Sequence, residues 1–176
     1  MNKVVKSKGL MFGLILGFIL ALQKTYEYLV DISLSLDGWW MIVSVFIIVA
    51  LGIFAISSAK KGLGGYITFK DAFSTYFLVI VVGLLILNLA TMLIYNVIDP
   101  GAQEEFTQIV IDKVTDRMDN LNDPQETIDA AIAKIQEHDG FSFVSTIKDY
   151  FSALAIFSVL GLLLAAIMKK KNPELE

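Results

Sequence analysis

The chain has 176 residues, 56% of them hydrophobic and only 18% charged, with a formal net charge of −4. Soluble domains carry about 25% charged residues, so the composition excludes a disordered chain and argues against a water-soluble globule. With no cysteine and a single histidine, disulfide frameworks, thiol chemistry and multi-histidine metal sites are excluded; no cofactor is expected, and the acidic balance argues against a nucleic-acid partner.

The length suits one domain. Apolar residues fall into four long blocks with most charges between them, the pattern of an all-α, polytopic membrane four-helix bundle. The first block, Gly9 to Leu22, follows Lys3, Lys6 and Lys8. A basic start and a short apolar core also describe a signal peptide, but Ala21-Leu22-Gln23 lacks the small-x-small cleavage pattern, so a retained helix is expected. The block is short for a span of about 20 residues. Extension through Gln23 and Lys24 gives a span over about 9–30, with Lys24 snorkelling and Tyr26 and Tyr28 at the interface. Gly9, Gly13 and Gly17 recur at i, i+4, i+8 and make one smooth helix face. Packing on the chain's own spans is the economical use of that face; docking on a partner or self-association is the alternative.

The second span is expected over 39–57, with Trp39 and Trp40 as an aromatic belt. Lys60, Lys61 and the glycine-rich turn Gly62-Leu63-Gly64-Gly65 follow. The third is expected over 70–98. Thr68 and Asp71 have capping-box spacing at its start, and Asp99-Pro100-Gly101 stops it. Asn88, Thr91 and Tyr95 lie at i, i+3, i+7 on one face. Interhelical hydrogen bonding is the economical reading, against a binding or transport site. No Asp, Glu, Arg or His falls at mid-membrane depth in any span, which weighs against ion-coupled transport.

Residues 99–145 form an acidic insert; Asp99 to Asp149 holds 12 of the 18 acidic residues and four basic ones. Phe106, Ile109, Val110, Val114 and Met118 recur at helical spacing. Asn122-Asp123-Pro124 breaks the chain, with Asp123 placed to cap a second helix that begins at Pro124. Ile128, Ala131, Ile132 and Ile135 give that helix an apolar face, and Gly140 is the expected stop. The insert thus reads as a helical hairpin, each helix about 14–16 residues long. Asp112, Asp116, Asp119 and Asp123 lack the spacing and glycine turn of a calcium loop, so no metal site is assigned. His138 reads as a solvated residue near the end of the second helix.

The last span, about 146–169, is closed by Lys169-Lys170-Lys171 and Asn172-Pro173. Ser158, Gly161 and Ala165 form a second smooth face, expected to meet the glycine face of the first helix. Counting depth from the helix ends places Asn88 opposite Ser158, with Ser44 or the backbone carbonyl of a neighbour as the alternative partner. Lysines cluster at the N-terminus, the Lys60 to Lys70 turn and the C-terminus. The positive-inside rule then puts both termini in the cytoplasm and the acidic insert outside.

Three segments carry a family resemblance: Ile67-Thr68-Phe69-Lys70-Asp71-Ala72-Phe73, Ile98-Asp99-Pro100 and Lys170-Lys171-Asn172-Pro173. With the long insert between the last two spans, the chain resembles the small four-helix membrane proteins catalogued as "domain of unknown function 4199", found mostly in Bacteroidota. The resemblance implies a membrane bundle and transfers no activity, cofactor or catalytic residue. Genes of that family often lie beside those of envelope glycosyltransferases, an association without a mechanism.

The expected function is that of a non-enzymatic accessory or scaffold protein, embedded in the lipid bilayer and meeting a membrane or periplasmic protein through its outer hairpin. The first alternative is a small-solute or lipid transporter or channel, as a homo-oligomer built on the glycine face; the second is an envelope lipid-modifying enzyme, or the membrane partner of an envelope glycosyltransferase.

Overall fold

The computed structural model describes residues 2–137 and 140–170. The expectation for His138, and Lys171-Asn172-Pro173 as the end of the last helix, lie outside them.

Four long helices and two shorter ones follow one another. Helix α1 runs over Lys3–Val30, started by the Asn2 side chain, which accepts from the Val4 amide at 2.9 Å. At 1.5 Å rise per residue its 28 residues reach about 42 Å. A single 3-10 turn, Ile32–Leu36, leads to α2, Gly38–Gly62. Its cap is Asp37, which accepts from the Trp40 amide at 3.0 Å. The turn to α3 uses Gly64 and Gly65 at φ +81° and +91°, where a side chain would be strained.

Helix α3, Phe69–Leu93, begins with the capping box read from sequence: the Thr68 hydroxyl accepts from the Asp71 amide at 3.0 Å and donates to its carboxylate at 2.8 Å. Its last turn, Ile94–Ile98, widens into a π turn closed by Asp99 N–H on the Ile94 carbonyl at 2.8 Å. Helices α4, Ala102–Asn120, and α5, Gln125–Glu137, occupy the insert with 19 and 13 residues. Between them Asn122 adopts φ +58°. The amides of Asn122 and Asp123 return to the carbonyls of Asp119 and Met118, a Schellman ending with asparagine in the glycine position. The Pro124 carbonyl accepts the first bonds of α5, from Thr127 and Ile128, so the cap sits one residue later than the expected Asp123. Helix α6, Phe143–Met168, starts at Ser142, whose side chain accepts from Ser145 N–H.

Helix α3 is the hub. It packs most extensively on α1, then on α6 and α2, while α2 and α6 touch only slightly. The expected meeting of the two smooth faces does not occur; each packs on α3 instead. A methyl group built on Gly9, Gly13 or Gly17 would fall 2.7, 2.8 or 2.6 Å from the Cβ of Leu78, Val82 or Ile86, all on α3. Gly83 of α3 in turn accommodates Leu16 of α1. Gly161 of α6 and Gly52 of α2 lie against opposite edges of the Tyr76 ring, which is fully buried, as is Ala165. Helices in a bilayer gain little from hiding apolar surface, so close backbone approach of this kind is the main source of their association.

Phe18 of α1, Phe46 and Phe54 of α2, and Ile156 and Ile167 of α6 point outward, each more than 60% exposed. All four helices are long and apolar enough to cross a membrane, and the protein is a multi-pass membrane protein. Its long helices begin or end at two distinct levels. At one, lysine-rich end, Ile67 and Lys170 exchange backbone hydrogen bonds of 3.0 and 2.9 Å, and Lys60 Nζ donates to the Met168 carbonyl at 3.1 Å. The other end carries α4 and α5.

Candidate functional site at the acidic end

The last two turns of α1 carry Gln23, Lys24, Glu27 and Tyr28, all drawn into the protein rather than out to an interface. Glu27 is buried, its side chain 8% exposed, and pairs with Lys24 at 3.2 Å. Its Oε2 also accepts from the Ser35 hydroxyl at 2.6 Å. Its Oε1 accepts from the Trp40 indole N–H at 2.6 Å and from Gln23 Nε2 at 3.4 Å. Gln23 Nε2 reaches on to Ser44 at 2.6 Å, and Lys24 Nζ to Ser35 at 2.9 Å. A carboxylate has about four lone-pair sites, and four donors fill those of Glu27. The cluster is therefore a fastening between α1, the 3-10 turn and α2 rather than a free base.

Two sequence expectations change here. Lys24 does not snorkel to the surface: its side chain is 15% exposed, and its ammonium lies 5.3 Å from the ring centre of Tyr95 and 5.9 Å from that of Phe106. Trp40 does not simply face the bilayer interface; its N–H is spent on Glu27, and its ring stacks on Tyr26 at 5.8 Å. Trp39 keeps the outward position.

Above Lys24 sits an aromatic cluster that seats the insert. Tyr95 is fully buried and stacks on Phe141 at 4.3 Å, and Phe106 meets both rings edge-on at 6.3 and 5.4 Å. The π turn frees the Tyr95 carbonyl, which accepts from Gln103 Nε2 at 2.7 Å. Asn96 Nδ2 donates to the Phe141 carbonyl at 3.2 Å, tying the end of α3 to the approach of α6. Tyr28 donates to Asp99 at 3.1 Å, and Lys113 of α4 donates to the Ser33 carbonyl at 3.2 Å. In the 3-10 turn, the Ser33 hydroxyl and amide both bond the Asp31 carboxylate and hold it below its ordinary pKa.

A groove of about 290 Å³ opens between α4 and α5 beside this cluster, floored by Phe106, Val110, Ile135 and Phe141 with Lys134 at its edge. Next to it lies a more polar recess of about 370 Å³, bounded by Gln103, Glu104, Gln108, Gln136 and Glu137.

The sequence-derived residues are thus divided. Gly9, Gly13, Gly17, Gly161 and Ala165 lie within helix contacts. The expected Asn88–Ser158 pair does not form. Asn88 Nδ2 donates to the Leu84 carbonyl at 3.0 Å and Ser158 Oγ to the Leu154 carbonyl at 2.6 Å, each within its own helix. Thr91 does the same toward Leu87 at 3.0 Å, and Ser44, the alternative partner, is taken by Gln23. An i−4 carbonyl is always within reach of a helical polar side chain, so no second helix is needed to satisfy these groups. Only Tyr95, of that polar face, belongs to the acidic-end cluster. Sequence reasoning missed Gln23, Glu27, Ser35 and Trp40. Their signal was the i, i+4 pair Gln23 and Glu27 within the turns that complete the first span.

No curated protein and no solved structure matches the chain. A family model matches residues 11–170, a range that takes in most of α1 and all of α2 to α6: the protein belongs to the family described as "Protein of unknown function (DUF4199)".

Proposed function

We propose that this multi-pass membrane protein is a non-enzymatic accessory or scaffold subunit of the bacterial cytoplasmic membrane. Both termini lie in the cytoplasm, and α4–α5 projects outward as the surface that meets a membrane or periplasmic protein. The observation that carries the reading is the way α4 is seated. A buried ion pair and three packed rings, two stacked and the third edge-on to both, fix an acidic element on the bundle end while its groove stays open. Rigid placement of an open surface suits recognition. A transporter reading has less support, because Asn88 and Thr91 are satisfied by their own helix.

Two measurements test this. Alkaline phosphatase inserted between Asn122 and Asp123 should be active, and fusions after Lys61 or Glu176 inactive; an active Glu176 fusion overturns the orientation. A photo-cross-linking amino acid at Val110 or Ile135 should give one discrete heterologous protein adduct in living cells, and none at lipid-facing Phe54. Adducts to lipid alone, or to a second copy of the chain, overturn the scaffold reading.

A further inference from the structure

Lysines that are far apart in sequence meet at the end opposite the acidic insert. Lys3, Lys6 and Lys8 start α1, Lys60 and Lys61 end α2, Lys70 starts α3, and Lys169 and Lys170 follow α6. The Ile67–Lys170 bridge and the packing of Gly62 on Val4 hold these helix ends together. Among the described residues this end has one carboxylate, Asp71, and it already accepts from Thr68. The one ion pair among the described residues, Lys24–Glu27, is at the other end. Lys60 donates to a carbonyl and Lys170 lies 5.4 Å over the Tyr66 ring, so neither is neutralised by an anion. Lys3, Lys6, Lys61, Lys70, Lys169 and Lys170 are exposed. All eight lie within about two turns of one end of a helix long and apolar enough to cross a membrane, so a bilayer around the four helices would bring lipid phosphates to their level.

We propose that this end is a binding surface for the phosphate headgroups of anionic phospholipids. Repulsion among eight ammonium groups with one carboxylate among them is relieved by anions held at the same depth, and a leaflet of phosphatidylglycerol supplies them in a plane. Each lysine near an anionic surface favours attachment about fivefold. The surface is independent of the acidic groove and of any partner there.

The test uses the full chain in mild detergent, with lipid retention read by native mass spectrometry. Phosphatidylglycerol should be retained in preference to phosphatidylcholine, and less so as ionic strength rises. The variant Lys61→Gln/Lys70→Gln/Lys169→Gln changes three exposed side chains that make no described contact, so the fold should melt as the parent does. It should lose phosphatidylglycerol about 100-fold, the corresponding triple arginine variant should keep it, and Lys148→Gln, at the opposite end, should change nothing. Equal retention by the triple glutamine variant overturns the proposal. So does stabilisation by inorganic phosphate alone as large as that by the lipid, which would mark a free-phosphate site. Retention that appears only after removal of residues 172–176 overturns it too, because the chain's own Glu174 and Glu176 would then be the occupants.

Discussion

Replacing Glu27 with alanine will destabilise the protein by about 3–5 kcal/mol, the cost of removing one member of a buried ion pair and stranding the other. Lys24 would be left beneath Tyr95 and Phe106 with one hydroxyl partner, the Trp40 indole would lose its acceptor, and the Gln23 amide would keep only Ser44. Lys24→Met will cost less, because Ser35, Trp40 and Gln23 still hold the carboxylate. The pair of changes together will cost less than the sum of the two, since the stranded charge is then absent. Thermal and denaturant unfolding in detergent micelles measure this. A Glu27→Ala protein within about 0.5 kcal/mol of the parent would mean that the ion pair is a surface contact of no consequence.

The second large effect is expected at Tyr76. Its ring fills the space between α2 and α6 that Gly52 and Gly161 leave open. A leucine at either glycine must displace a fully buried ring and will cost about 3 kcal/mol; alanine will cost less, because helix propensity returns about 1 kcal/mol. Tyr76→Ala will cost about 3–5 kcal/mol through the cavity it leaves. Tyr76→Phe will be close to neutral, since the buried hydroxyl has no partner to lose. The decisive observation is the double variant: Gly161→Ala should be harmless once Tyr76 is alanine. An equal penalty in both backgrounds would place the clash elsewhere.

Features set by neighbours in sequence were readable without the fold. Thr68 and Asp71 are three residues apart and form their capping box with nothing else required. Asn122-Asp123-Pro124 ends one helix and starts another through local backbone geometry alone. The spans followed from apolar length, although α2 runs to Gly62, past the expected 57, because Lys60 and Lys61 are still helical. What was not readable is which helix each face meets. The glycine stripe of α1 announces close packing but carries no mark of its partner, and α3 rather than α6 proved to be that partner. Counting depth failed for Asn88 and Ser158 for a related reason: depth says which residues are level, while a carbonyl four residues back is always nearer. The Glu27 cluster needs Ser35, Trp40 and Ser44, which a linear reading assigns to a link and to the next span. A linear reading therefore gives Lys24 only a snorkelling role.

The hub arrangement has a consequence for biogenesis. A chain threaded into the membrane from its N-terminus delivers α1, α2 and α3 in succession, and these include the partners with the most extensive contact, α1 and α3. A three-helix intermediate can therefore assemble before residues 99–142 have been synthesised. Helix α6 arrives late and alone, docks on a surface of α3 that is already positioned, and leaves most of its own circumference facing lipid. Until then the Tyr76 ring has Gly52 on one edge and no helix on the other. The last span to be made is thus the one whose site on α3 is already formed when it arrives.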